Sequence, residues 1–138
     1  MFSTREEARY ERHFTLPSFG PEGQLALRKA SVLCIGAGGL GSPAALYLAA
    51  AGVGRLGIID DDTVDFSNLQ RQILHDENWV GASKTESARK RLSGLNSDIA
   101  VEAHAQRLDV GNVMALVSRY DVVVDGSDNF PTRFLVAD

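Results

Sequence analysis

The chain has 138 residues, with 14 Lys and Arg against 18 Asp and Glu, 44% apolar residues and 23% charged ones. That length and balance suit a soluble globular domain, and a net charge of −4 argues against a general nucleic-acid binder, which needs excess cations to neutralise phosphates. One cysteine, Cys34, excludes an internal disulfide; no apolar run approaches the ~20 residues of a membrane span; and the polar start Met1–Glu7 is unlike a signal peptide, so the expected setting is cytoplasmic, away from membranes.

Residues 3–13 read as a helix, opened by capping-box spacing at Ser3 and Glu6 or at Thr4 and Glu7. A loop follows, and Pro21 opens a short helix through Lys29. From Ser31 the pattern changes. Val32–Ile35 is a short apolar run stopped by glycine, as in a strand buried on both faces. An alanine-rich helix over 42–51 ends at Gly52, and Leu56–Ile59 is a second strand leading into Asp60, Asp61 and Asp62. Residues 63–82 have no clean period and read as a long irregular connection, a kind that is often functional. Ser83 and Glu86 have capping-box spacing for a helix through about Leu95. Ile99, Val101, Ala103 and Ala105 alternate as a half-exposed strand. Asp109 is placed to cap a helix to Arg119, Val122–Val124 is a buried strand, and Asn129 or Thr132 is placed to cap a last helix. The alternation predicts an α/β fold with a mostly parallel, Rossmann-like sheet and flanking helices, divided as an N-terminal helical segment (1–30) and a nucleotide-binding unit (31–138).

The chemistry concentrates at a few points. Gly36, Gly38 and Gly41 stand in a GxGxxG pattern between a strand and a helix. The first permits a tight turn, the second lets backbone approach a phosphate, and the third lets the helix lie close on the sheet. The helix start offers free N–H groups to an anion. Asp60, 19 residues after Gly41, is placed to accept hydrogen bonds from ribose hydroxyls. Alone, this fingerprint suggests NAD or FAD. Arg71 adds a fork of donors suited to phosphate oxygens, or is a surface arginine. Lys84 at a helix start is either a solvated side chain or a cation aimed at a polyphosphate. Asp128 is a candidate Mg²⁺ ligand, with Asp125 in competition, or else a helix cap. Asp61 and Asp62 read as solvated turn residues, Cys34 as a buried inert thiol, Trp79 and Phe66 as packing, and 89–91 as a wet helix face. His75 and His104 lack metal-ligand spacing.

Six blocks occur in order: Arg9–His13, Gly36–Gly41, Asp60 with Asp62–Val64, Ser67–Gln72, Gly81–Lys84 and Asp125–Asn129. Together they resemble the MoeB/ThiF family of ubiquitin-activating-type adenylyltransferases, nearest to those that adenylate sulfur carriers for molybdopterin or thiamine biosynthesis. The resemblance runs from Arg9 onward, and the Ser67–Gln72 block after a GxGGLG turn is its most specific part. It implies ATP, Mg²⁺ and a ubiquitin-like sulfur-carrier protein whose C-terminal glycine carboxylate attacks the α-phosphate. By position it assigns nucleotide contacts to Gly39, Ser67, Asn68, Leu69, Gln70 and Asn129, ribose to Asp60, phosphate binding to Asn68, Arg71 and Lys84, and Mg²⁺ to Asp128. Arg12 matches an arginine that reaches into the other subunit of a homodimer.

Chains of this family continue further, often with two CxxC pairs for a structural Zn²⁺. Here the sequence stops within a helical pattern, so the expectation is the N-terminal portion of a longer protein, with the zinc cysteines and C-terminal strands beyond Asp138. Such a portion could be inactive by itself.

Overall fold

The Ser3 hydroxyl accepts from the Glu6 amide and the Glu6 carboxylate accepts from the Ser3 amide, both at 3.0 Å, so this capping box forms as expected. The helix it opens is not continuous. It ends as α1 (Thr4–Arg9), and α2 (Glu11–Phe14) follows beyond Tyr10. Tyr10 leaves the helical path and is buried, its hydroxyl accepting a hydrogen bond from the Asn96 side-chain amide at 2.9 Å. Next, α3 (Gly20–Lys29) carries the fully buried Gln24. Its Nε2 donates to the Ala51 carbonyl at 2.9 Å, while its Oε1 accepts from His13 Nδ1 at 2.8 Å. These satisfied buried polar groups seat the N-terminal helices on the sheet-bearing part of the chain.

The computed structural model describes residues 2–127 together with Val136. Among them the strands β1 (Ser31–Ile35), β2 (Arg55–Ile59), β3 (Ala100–His104) and β4 (Val122–Asp125) form one parallel sheet in the order β3-β2-β1-β4. The helices α4 (Gly41–Ala51), α5 (Lys84–Leu95) and α6 (Val113–Val117) connect them. Every residue of β1 is buried, which is why its sequence is a continuous apolar run. Val32 and Cys34 point to one face, where they pack with Ala45 and Ala49 of α4 and with Ala88 and Leu92 of α5. Leu33 and Ile35 point to the other, against Leu108, Leu116 and Tyr120. Burial pushes the Cys34 thiol up to about 11, so it is an inert core thiol.

Four expected features differ. β4, expected as a buried strand, is exposed at Val122 and only half-buried at Val123 and Val124, because among the described residues it is an edge of the sheet. The helix after Asp109 starts late. Asp109 and Asn112 exchange hydrogen bonds between side chain and backbone at 2.8 and 3.0 Å, which makes a turn first and leaves only the five residues of α6. At α5, Ser83 accepts from the Glu86 amide, but Glu86 turns outward to Arg89 and the box is left half-formed. β3 is partly covered along most of its length instead of alternating, as suits an edge strand with a helix on one face. Asn129 and Thr132, expected to cap a last helix, lie outside the described residues.

Glycine is required where β1, α4 and β4 meet. Gly36 has φ +93°, a left-handed conformation that side chains disfavour. A Cβ on Gly41 would overlap the Gly36 carbonyl oxygen, and one on Gly126 would lie 2.9 Å from the Gly41 amide nitrogen. Gly41 therefore lets the start of α4 touch the glycine turn and the end of β4, a closer junction than helix-on-sheet packing alone. Gly41→Ala is expected to lower unfolding free energy by about 1–3 kcal/mol or more through overpacking. Gly94→Ala, inside α5 where a Cβ meets nothing, is expected to raise it by about 0.5–1 kcal/mol. Urea unfolding of both variants checks the contrast.

Candidate nucleotide site

The strand order places β2 and β3 on one side of β1 and β4 on the other, so the order reverses between β1 and β4. Open α/β sheets bind ligands outside the carboxyl ends of strands at such a switch point. A cavity of about 420 Å³ lies there, lined by Gly36, Gly38 and Gly39 after β1, Asp60 and Asp62 after β2, and Gly126 after β4. Arg71, Gln72 and Lys84 close it from the segment that follows β2.

That segment is irregular yet tightly tied. Thr63 and Ser83 form an antiparallel bridge, flanked by hydrogen bonds from the Val64 amide to Ala82 and from the Gly81 amide to Val64, both 2.8 Å. The Lys84 amide donates to the Asp62 carbonyl at 3.0 Å. The intervening residues thus make a loop with joined ends, in the manner of an Ω-loop. Within it Asp65 caps a 3₁₀ turn over Phe66–Asn68: its Oδ1 accepts from the Ser67 amide and hydroxyl, and its own amide donates to Asn68 Oδ1. The Asn68 carbonyl then accepts from the Arg71 and Gln72 amides at 3.2 and 2.9 Å. Ser67 and Asn68 therefore build the turn that delivers Arg71 and Gln72 to the cavity.

Of the residues singled out from sequence, the cavity gathers Gly39, Asp60, Arg71 and Lys84. Ser67, Asn68, Leu69 and Gln70 do not line it. Arg12 is exposed on α2 and does not line it either. Asp128 and Asn129 lie outside the described residues, so the Mg²⁺ assignment has no geometry here. Asp125, the competing candidate, accepts from the Ser127 amide and hydroxyl at 2.9 and 2.5 Å, which makes it a turn residue at the end of β4.

One bland reading is corrected by the structure, and a second residue acquires a role. Lys84 is not solvated: it is 6% exposed, with its Nζ 3.8 Å from Asp62 Oδ2. Burying an ammonium costs several kcal/mol unless a counter-charge is present, and the cavity supplies that charge. Asp62 is an exposed turn residue, as expected, that also faces this ammonium. His75 is buried, and its Nε2 lies 2.8 Å from the Ala37 carbonyl oxygen while Nδ1 lies 2.7 Å from Ser87 Oγ. A carbonyl only accepts, so Nε2 carries the proton and Ser87 donates to Nδ1. Asp60 grips the same residue from its other side: Oδ2 accepts from the Ala37 amide at 2.8 Å, and Oδ1 from the Asp62 amide at 2.8 Å. Ala37 is thereby fixed at both its N–H and its C=O, and Asp60 keeps lone pairs for further donors. A lone histidine without metal spacing gives no signal of this role in sequence. Among the described residues no group of three His, Cys, Asp or Glu is placed to hold a metal ion, and no helix is long and apolar enough to cross a membrane.

Gln72 also escaped selection from sequence, although it closes the Ser67–Gln72 block. It is 4% exposed, and its Oε1 is buried without a hydrogen-bond partner among the described residues. Leaving such an acceptor unpaired costs about 1–3 kcal/mol.

Fold and site together define a Rossmann-like unit whose switch-point cavity brings together a glycine turn, an acid at the end of β2 and two cations. The chain belongs to the ThiF family, whose model matches residues 10–138. It is 53% identical over 136 residues to the probable adenylyltransferase/sulfurtransferase MoeZ of Mycobacterium tuberculosis (strain H37Rv), covering 99% of this chain and 35% of that protein. It is 45% identical over 137 residues to a probable molybdopterin-synthase adenylyltransferase of Porphyra purpurea, covering 99% of this chain and 36% of that one. The chain thus spans about a third of the length of these relatives. Among solved structures, E. coli tRNA N6-threonylcarbamoyladenosine dehydratase TcdA in complex with AMP superposes with a TM-score of 0.91 at 29% identity, over 99% of this chain and 56% of that one.

Burial lowers the pKa of His75 below the ordinary value, as it does for His104. Below about pH 6.5 the unfolded chain binds more protons than the folded one, so stability is full above that pH and is lost as pH falls toward the depressed folded values. His75→Gln is expected to reduce this acid loss without abolishing it, since His104 remains. Urea unfolding at pH 5 and pH 7.5 measures the difference.

Proposed function

We propose that this chain is the nucleotide half of an adenylyltransferase that activates the C-terminal glycine carboxylate of a ubiquitin-like sulfur-carrier protein, for molybdopterin or thiamine biosynthesis. The observation that carries the reading is the convergence on one cavity of a β2-end carboxylate, a glycine turn and two cations, Arg71 and Lys84. An acid and a glycine turn suit any ribose-phosphate ligand. Two added cations suit a triphosphate and the charge that moves along it during transfer. The names of the relatives support the same reaction class and, within it, the molybdenum-cofactor pathway.

In the proposed step a carrier carboxylate oxygen bonds to the α-phosphorus of ATP, and the bond from that phosphorus to the bridging oxygen breaks. Pyrophosphate leaves with the electron pair, and the carrier is left as an acyl-adenylate. No base is needed, because the attacking carboxylate is ionised at neutral pH. The task of the protein is alignment and charge neutralisation. Asp60 holds the ribose, and the Gly38–Gly39 backbone admits the phosphates. Lys84 exchanges its contact with Asp62 for phosphate oxygens, and Arg71 stabilises the departing pyrophosphate. Asp128 is the proposed ligand of Mg²⁺, which would supply further neutralisation of phosphate charge when bound. Arg12 is proposed to complete the site of the other subunit in a homodimer, which accounts for its distance from this cavity. Any structural Zn²⁺ would belong to the remaining two thirds of a protein the size of these relatives.

Exchange of labelled pyrophosphate into ATP tests the reading in the full-length protein containing these residues. Carrier-dependent exchange is expected, and Arg71→Ala is expected to reduce kcat/KM by the equivalent of about 2–4 kcal/mol, the scale of losing one key electrostatic donor. NAD binding without ATP binding would contradict the assignment.

A further inference from the structure

Gln72 sits against the glycine turn in an arrangement that fold stability does not explain. Its amide nitrogen lies 3.4 Å from the position a Gly38 Cβ would take, and Arg71 Nε lies 3.8 Å from the corresponding position over Gly39. Two consecutive side chains thus cover two glycines of the turn. Neither glycine is required by the surrounding protein, since an added Cβ would make only ordinary contacts there. What a Cβ would obstruct is the cavity these residues line. Among the described residues neither end of the Gln72 amide has a hydrogen-bond partner: Oε1 is buried, and Nε2 lies on the Gly38 side, in the wall of the cavity. A side chain 4% exposed with its amide unsatisfied among the described residues has hydrogen-bonding capacity left for a molecule in the cavity, and the end beside Gly38 carries the N–H donors.

We propose that Gln72 is a further nucleotide-positioning residue, donating from Nε2 to an anionic oxygen of the ATP phosphate chain where that chain crosses Gly38. The proposal rests on the ATP reading of the cavity. A neutral amide suits this place. Lys84 and Arg71 already supply two positive charges, and an amide adds directional donors without a third cation beside them.

The test uses the full-length protein with ATP, AMP and adenosine as titrants, comparing wild type with Gln72→Met and Gln72→Glu. Methionine is close in volume and cannot donate. It is expected to leave Tm unchanged or raised, because the unpaired buried acceptor is gone, and to weaken ATP binding about tenfold, the scale of one hydrogen bond to a charged group. Glutamate places a carboxylate against phosphate and is expected to weaken ATP binding more than methionine does. Adenosine binding is expected to stay the same in all three proteins. ATP affinity within twofold of wild type in a folded Gln72→Met protein would overturn the proposal. So would an equal loss for adenosine, which marks a role in pocket shape, or unchanged ATP affinity with a raised KM for the carrier. Failure of the wild-type protein to bind ATP would instead sink the reading of the cavity itself.

Discussion

The contact of Gly36, Gly41 and Gly126 sets where everything else in this molecule can stand. Three chain segments, the end of β1, the start of α4 and the end of β4, come together at distances that leave no room for a Cβ. That closeness puts the first amides of α4 beside the turn and opens the switch point between β1 and β4 as a usable cavity. The turn is then fixed from outside. Asp60 holds the Ala37 amide and His75 holds the Ala37 carbonyl, so the loop is gripped by groups from two different parts of the chain. Preorganised backbone of this kind binds charge without reorganising at the moment of reaction.

The second constraint is the clasp between Asp62–Val64 and Gly81–Lys84. It converts a long irregular connection into a loop with joined ends, and so lays Arg71 and Gln72 over the glycines while Lys84 enters from the clasp itself. Lys84 illustrates the energetic logic. A lysine this buried has one ion-pair partner among the described residues, the Asp62 carboxylate 3.8 Å away, and the proposed function gives it a stronger anionic one. The residues between 65 and 70 contribute by shaping the turn through Asp65, Ser67 and Asn68. A sequence block specific to one family can therefore be partly about geometry, with its contacts delegated to the residues that follow.

The parallel sheet, the strand–turn–helix unit and the acid at the end of β2 were legible because each has a periodic or spaced signature: the β1 apolar run, the glycine pattern, the position of Asp60. The break at Tyr10 was not, because its cause is a hydrogen bond to Asn96 far along the chain. The short α6 was missed because Asp109 and Asn112 satisfy each other before a helix can start. Lys84, His75 and Gln72 were undervalued for one shared reason. Composition says that such side chains are mostly solvated, and only the tertiary structure that buries them reveals otherwise. Arg12 remains a residue whose proposed role depends on a second copy of the chain.

The most direct test of the central claim is a crystal structure of the full-length protein with a non-hydrolysable ATP analogue. The account predicts ribose hydroxyls within hydrogen-bond distance of Asp60, the triphosphate lying across Gly38 and Gly39, and Lys84 Nζ moved from Asp62 onto a phosphate oxygen. An analogue bound elsewhere, or bound here with Lys84 still paired to Asp62 and the phosphates turned away from Arg71, would contradict it.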